Sequence, residues 1–411
     1  MVSAPTTEPV TPQRGGLHRV LVTLCVTETT SWGILYYAFP VLAGRISADT
    51  GWSLTRLTAA FSLGLVVSAV LGIGVGRWLD RHGPRWLMTL GSALAAVSVV
   101  GVALAPSFGW FVTAWAVSGV AMSAVLYPPA FAALTRWYGD RRVHALTILT
   151  LAAGLASTIF APVTAGLASR LDWRSTYLAL AGLLAVVTVP AHGWGLRLAW
   201  PPRPPAAVSA TAHAHAPRRV LRSRAFLTLV VSFGLTSLTS YVVVVNLVPL
   251  LGERGIGPGT AAVVLGVGGV GQVLGRLSHA PLARRLGVRA RTLVVLGTVA
   301  LTTGLLGVLS WLPSLIASAV AAGMVRGIVT LLQATAVTDR WGARDYGTLS
   351  GVLAAPLTLT TAVAPFLGAA LAVLLGSYAA MLLAMAGVGL AAAALSLGSV
   401  PPARPTRPPH P

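Results

Sequence analysis

Long stretches without a charge dominate the chain, and short segments holding arginine, glycine and proline separate them. The apolar stretches are continuous, so they read as helices; strands of a membrane barrel would alternate polar and apolar residues. About 20 apolar residues cross a bilayer core. That window predicts spans at 18–44 (span 1), 55–76 (span 2), 86–105 (span 3), 109–135 (span 4), 143–168 (span 5) and 174–198 (span 6). Six more follow at 226–251 (span 7), 260–281 (span 8), 290–311 (span 9), 314–338 (span 10), 347–372 (span 11) and 376–399 (span 12). The prediction is an all-α membrane protein of twelve transmembrane helices. Residues 1–17 read as a disordered N-terminus, 18–198 as one six-helix bundle, 199–225 as a flexible linker, 226–399 as a second bundle and 400–411 as a disordered tail. Pro, Ala and Arg fill the linker, which splits the chain near its middle. The first apolar run is too long for a signal-peptide core and has no convincing cleavage site, so it stays a span.

The two halves repeat each other. Gly72 and Gly76-Arg77 recur as Gly271 and Gly275-Arg276; Gly119 with Arg136-Trp137 recurs as Gly323 with Arg340-Trp341. Thr158 with Ala161-Pro162 recurs as Thr361 with Ala364-Pro365, and Tyr177 as Tyr378. The offsets of 199, 204, 203 and 201 are nearly constant. Duplicated, pseudo-symmetric bundles characterise transporters that alternate access around a central site.

Composition agrees. Charged residues make up 9% and apolar ones 55%, with mean hydropathy +0.79; a soluble domain carries roughly a quarter charged residues. The net charge of +20 could suggest nucleic acid as a partner, but the 29 basic residues are all arginine and are scattered over short loops. Five of them (Arg45, Arg56, Arg170, Arg174 and Arg254) fall in one set of alternate segments. Arg326 lies inside a span, and the rest fall in the other set. The positive-inside rule then places both termini in the cytoplasm of a plasma membrane. The arginine bias also suggests a GC-rich bacterial genome. Cys25 is the only cysteine, so no disulfide or thiolate metal site forms. His213 and His215 in the linker have no acid or cysteine beside them and read as solvated, not as metal ligands.

Residues 76–85 read Gly-Arg-Trp-Leu-Asp-Arg-His-Gly-Pro-Arg between spans 2 and 3. This segment resembles the loop G-x-x-x-D-R-x-G-R-R of the major facilitator superfamily, with Pro84 before Arg85, and the resemblance covers essentially the whole chain. It implies that Gly76, Asp80, Arg81, Gly83 and Arg85 form a cytoplasmic gating motif. Asp80 can accept from an arginine or a helix N-terminus and hold the bundles together in one state; an ordinary positive loop is the plainer reading. The second-half counterpart, Gly275 to Arg285, lacks the acid, so the latch should be asymmetric. Ser31-Trp32-Gly33 through Phe39, Gly51-Trp52-Ser53 and Trp173-Arg174 with Tyr177 are similar to the monocarboxylate-porter and oxalate–formate-antiporter-like branch. Trp115 stands where drug–proton antiporters of the superfamily carry an arginine, and Ala161-Pro162 replaces their Gly-Pro pair. Both departures count against multidrug efflux.

Two ionisable residues lie well inside spans, Glu28 in span 1 and Arg326 in span 10. An intramembrane charge is expensive and faces the bundle interior. The resemblance implies that spans 1, 4, 7 and 10 line the cavity, which would put both residues on the substrate path. Glu28 is then a protonation site, or a neutral carboxyl bonded to Thr or Ser neighbours. Arg326 binds a substrate anion, or pairs with Glu28 when the site is empty. Tyr36, Tyr37, Tyr127, Tyr241, Asn246 and Gln333 can supply hydrogen bonds, though each serves equally well in packing. Pro128 with Pro129 must break span 4, and Pro162 and Pro365 are expected hinges of spans 5 and 11. Gly266-x-Gly268-x-x-Gly271 has dinucleotide-binding spacing but sits inside an apolar span without the required strand and acid, so it reads as a packing surface.

The expected function is alternating-access secondary transport of a small organic solute, a carboxylate anion by preference, coupled to a proton. The alternative is a drug or metabolite exporter on the same fold. An enzyme is excluded because the acids and histidines do not cluster, and no cofactor is expected. The partners are the substrate, a proton and the lipid bilayer, with the protein a monomer.

Overall fold

The computed structural model describes residues 14–201 and 217–401. The flanks 1–13 and 402–411 and most of the predicted linker, including His213 and His215, lie outside the described residues. Every predicted span is a helix or a run of consecutive helices. Span 1 is Arg14–Trp32, a π-helical turn Gly33–Tyr37, and Ala38–Thr50. Spans 2 and 3 are Leu54–His82 and Pro84–Ala103. Span 4 breaks into Phe108–Val125 and Tyr127–Tyr138, and span 5 into Arg142–Gly154 and Ala156–Ala168. Span 6 is Trp173–Pro190 with a π-helical end, Ala191–Gly195. Spans 7 to 9 are Arg224–Glu253, Pro258–Arg285 and Val288–Val308; spans 10 to 12 are Leu312–Ala336, Tyr346–Leu375 and Tyr378–Ser396.

Among the described residues, nine stretches are long and apolar enough to cross a membrane, and one of them, Phe108–Ala168, holds spans 4 and 5 together. Spans 1 and 8 fall outside that set. The first carries the polar run Thr27 to Ser31, and the second is dense with glycine. The threonine hydroxyls in the run are satisfied within the helix: Thr29 donates to the Cys25 carbonyl at 2.7 Å and Thr30 to the Val26 carbonyl at 2.9 Å. Back-bonding of this kind lets Ser and Thr sit in a span. Outward faces carry exposed apolar side chains such as Val186 (74%) and Val373 (84%), which suits a lipid solvent.

The packed core shows how the halves meet. At the arginine-rich end one cluster draws on both bundles, from Leu24, Leu79 and Leu134 to Phe226, Val295 and Leu349. Towards the opposite end the core divides. Ile34, Phe61, Trp115 and Tyr177 form a cluster of the first bundle, while Val242, Leu306, Leu315 and Met385 form one of the second. The bundles are fused at one end and separately packed at the other.

Glycine brings the backbones together. A Cβ on Gly76 would lie 2.0 Å from the Gly347 carbonyl oxygen, and one on Gly351 would lie 2.7 Å from that of Gly72. Within the second bundle, Gly271 and Gly275 of span 8 meet the backbone of span 10 at Val320 and Met324, and Gly323 meets Gly268. The dinucleotide-like glycines are therefore a packing face, as small residues between membrane helices commonly are.

Of the three expected hinge prolines, only one lies at a break in its span. Span 4 does break before Pro128: Leu126 is extended (φ −91, ψ −173), and Pro128 sits in the first turn of the helix it starts. Span 5, however, is interrupted at Leu155, not at Pro162, which lies inside Ala156–Ala168. Span 11 runs unbroken from Tyr346 to Leu375 through Pro365. The linker is also ordered at its ends. Trp137 Nε1 donates to the Ala199 carbonyl at 3.0 Å, and Pro217–Leu221 is a short helix.

Candidate functional site

Between the bundles lies a cavity of about 220 Å³. Span 1 lines it with Trp32, Tyr36 and Tyr37, span 4 with Ser123 and Tyr127, span 7 with Ser237 and Tyr241, and span 10 with Gln333. Spans 2 and 11 also contribute, through Ser68 and Gly72 on one side and Gly351, Thr358 and Thr361 on the other. The expected wall of four helices is thus a wall of six, because the glycine-bearing faces of spans 2 and 11 cross beneath the cavity and close its floor.

The local structure of span 1 presents these aromatic groups. A π-helical turn carries one extra residue per bond, and such turns recur at functional positions. Here it follows Trp32 directly and ends at Tyr37, so Trp32, Tyr36 and Tyr37 all reach the cavity wall. Gly33 is required in that turn, since a Cβ there would lie 2.2 Å from the Phe160 ring. The rings form a chain. Trp32 meets Tyr36 at 5.4 Å and Tyr127 at 5.1 Å between centroids, and Tyr36 meets Tyr37 at 5.2 Å. Tyr127 stacks on Phe131 at 4.9 Å.

The two intramembrane charges do not line this cavity, and they are not paired. Glu28 is fully buried one helical turn below Trp32, whose Nε1 donates to Glu28 Oε2 at 3.1 Å. Its other oxygen, Oε1, has no hydrogen-bond partner. The carboxyl thus takes its hydrogen bond from an indole, not from the neighbouring threonines, whose hydroxyls serve backbone carbonyls. Arg326 faces a small cleft inside the second bundle among Val243, Leu247, Gly268 and Gly323. Its Nη2 donates to Gln272 Oε1 at 3.4 Å. It still stands behind the cavity wall, because Tyr37 and Tyr241 are both within its electrostatic reach, and Arg276 acts on Tyr37 as well. Asn246 is not at the site: it is buried, donates to the Val242 carbonyl at 2.9 Å and packs on Gly368.

Below the floor, the arginine-rich end is tied across the bundles. Asp80 is 4% exposed. It accepts from the Gly347 amide at 3.0 Å, the Thr348 amide at 2.8 Å and the Thr348 hydroxyl at 3.0 Å. It therefore caps the N-terminus of span 11 from the other bundle, satisfying amides that a helix start leaves free. Gly83 makes the turn possible. Its φ of +81 suits glycine, its amide closes span 2 on the Leu79 carbonyl at 2.9 Å, and Pro84 opens span 3. Arg136 donates to the Asp80 carbonyl at 3.2 Å and stacks over Trp200 at 4.9 Å. Of the other motif arginines, Arg85 donates to the Gly193 carbonyl at 3.0 Å within its own bundle, and Arg81 is exposed.

The second half makes different ties. Arg276 donates to the Thr150 carbonyl of span 5. Asp339 bridges Arg142 of the first bundle at 3.6 Å and Arg291 of its own. The ties between the bundles differ in the two halves, an acid on a helix N-terminus in one and a bridged acid in the other. The Arg276 and Asp339 ties, the cavity role of Trp32 and the serine and threonine lining were not singled out by the sequence. A Trp four residues after the buried acid, on one helical face, was the signal available for Trp32.

The sequence matches the family description Major Facilitator Superfamily over residues 23–355 and 229–411. The chain belongs to that family. Its members are membrane transporters rather than enzymes. Among relatives, an uncharacterized 38 kDa protein in the 23S RNA operon of Thermoproteus tenax is 31% identical over 199 residues, 48% of this chain and 49% of that one. The chain thus spans about half the length of that relative. Monocarboxylate transporter 11 of Homo sapiens is 28% identical over 354 residues, 79% of this chain and 70% of that one. The Escherichia coli fucose:proton symporter superposes with a TM-score of 0.72 at 12% identity, covering 92% of this chain and 97% of that one. At that identity the likeness is one of fold, and it places this chain in the two-bundle major facilitator architecture.

Proposed function

We propose that this chain is an alternating-access secondary transporter of a small organic monocarboxylate, coupled to a proton on Glu28. One observation carries the reading. A cavity at the bundle interface, closed on one side by the Asp80 tie, has a buried, unpaired carboxyl directly behind its aromatic wall. The relationship to a protein named a monocarboxylate transporter supports the substrate class.

In this reading the Tyr37 and Tyr241 hydroxyls grip the carboxylate, and the rings hold its apolar body. Arg326, with Arg276, supplies positive potential from behind the wall. A buried guanidinium keeps its charge, so the site favours an anion without solvating it away from the rings. Loading the substrate with a proton makes the translocating complex less charged, which lowers the cost of occlusion. The arginine distribution supports an orientation with both termini in the cytoplasm and the tied end facing the cell interior. The cavity then opens to the outside in this conformation.

A second reading, export of apolar compounds, is favoured by the absence of a charged side chain among the cavity's lining residues. Uptake into proteoliposomes separates the two. A panel of carboxylates offered with an inside-alkaline gradient should include one that accumulates, and Arg326→Ala should weaken its apparent affinity. Failure of every carboxylate, with extrusion of an apolar dye, overturns the proposal.

A further inference from the structure

We propose that Trp32 is the coupling residue of the transport cycle, the one side chain through which substrate occupancy of the cavity sets the protonation of Glu28. The inference rests on the reading of Glu28 as the proton site and goes beyond it.

Trp32 belongs to two environments at once. Its ring lines the cavity and packs against Tyr36 and Tyr127, which also line it. Its Nε1 makes the hydrogen bond to Glu28, whose side chain is otherwise sealed from the cavity and has Oε1 unsatisfied. An indole N–H donates and cannot accept, so this bond favours the ionised carboxyl. Whatever displaces the ring strips the carboxyl of that donor and favours the protonated form. A substrate wedged against the Trp32 face does this mechanically. By linkage, a proton on Glu28 then strengthens substrate binding to the same degree.

The π-helical turn that begins at Gly33 makes such a movement feasible. It interrupts the regular i to i−4 ladder beside the indole, and Trp32 is part-exposed where Glu28 is wholly buried. Other charges do not substitute for the indole. Among the described residues, the titratable groups that act on the carboxyl include Cys25 on the same helix and Tyr127 on span 4. Arg276 on span 8 reaches Tyr127, and no ion pair among the described residues involves Glu28.

The test is an infrared titration of the protonated-carboxyl stretch in full-length protein in lipid nanodiscs, without ligand and with pyruvate or benzoate. The band of Glu28 is the one that Glu28→Gln removes. In the wild type its midpoint should rise when a probe binds. In Trp32→Phe the ligand-free midpoint should already lie higher by about one to two pH units, and adding the probes should not move it further. If that variant does not fold, 3-benzothienylalanine placed at position 32 keeps the bicyclic shape and removes only the N–H, with the same expectation. A Phe or benzothienyl protein that titrates and responds like the wild type overturns the role of Trp32, as does a wild-type midpoint that neither probe moves. If no band differs between the wild type and Glu28→Gln, the failure lies with Glu28 as the proton site.

Discussion

Replacing Asp80 by Asn removes one charge from the tie between the bundles while keeping the side chain's shape. The wild-type carboxylate takes two amides and a hydroxyl at 2.8–3.0 Å in a buried position on the start of a 30-residue helix. Charge-assisted hydrogen bonds contribute about 1.5–3 kcal/mol against about 1 for neutral ones. A partly buried charge at a helix N-terminus adds up to about 2 kcal/mol. The amide keeps one acceptor oxygen and turns a donor towards the remaining donors. The loss expected for the closed end is therefore about 2–4 kcal/mol, a change of roughly 30- to 1,000-fold in the ratio of closed to open molecules. Spin labels at Arg141→Cys and Arg289→Cys, both exposed and on opposite bundles, read this ratio by pulsed dipolar spectroscopy in a Cys25→Ser background. The wild type should give one dominant short distance, and Asp80→Asn should populate a longer one. An unchanged distance distribution in a folded Asp80→Asn protein would refute the argument that this carboxylate holds the end shut.

The glycine faces give an internal control. Gly76→Ala forces a methyl onto the Gly347 carbonyl and should open the same end, with the cost of about 1–3 kcal/mol typical of overpacking. Gly72→Ala meets nothing within 4 Å and should leave the label distance and thermal stability unchanged. On the other side of the membrane, Asp172 accepts from the Ser175 amide at 2.6 Å, and its hydrogen bonds to Ser175 hold its carboxyl below the usual range. A depressed folded-state pKa means that its stabilisation is present above the ordinary carboxylate value and fades as pH falls through the folded one. Melting of Asp172→Ala in detergent should therefore lie below wild type at neutral pH and converge with it in strong acid. Tyr37→Phe and Tyr241→Phe each delete a hydroxyl from the cavity wall; either should raise the KM of a transported carboxylate roughly 5- to 10-fold, the equivalent of one hydrogen bond, without abolishing transport.

Much of the fold was legible because the membrane writes it in one dimension. A span must be apolar for its whole length, so helix positions follow from composition, and the duplicated Gly, Arg-Trp and Pro positions disclose the two halves. Asp80 and its glycines could be placed because residues 76–85 resemble the superfamily's loop motif. The remainder depends on which face of a helix a residue occupies. Asn246 and Tyr241 share span 7, yet five residues of helical rotation put one on the wall and the other in packing against Gly368. Arg326 has the chemistry of a ligand group but points one layer behind the wall. Pro162 and Pro365 carry the sequence signal of a break, but a proline-bearing segment at membrane depth can stay helical where neighbouring groups satisfy the freed backbone. The π-helical turn at Gly33–Tyr37 has no composition signature, and it is what brings Trp32 and both tyrosines to the cavity.

Proton coupling rests on the carboxyl behind the aromatic wall. Glu28→Gln keeps the shape of that side chain and its bond to Trp32 but cannot carry a proton. In proteoliposomes, wild-type protein should accumulate its carboxylate against a gradient when the lumen is alkaline, and should also exchange labelled for unlabelled substrate at equal pH. The Gln variant should retain the exchange and lose the accumulation. Gradient-driven accumulation at the wild-type level in Glu28→Gln would contradict the account.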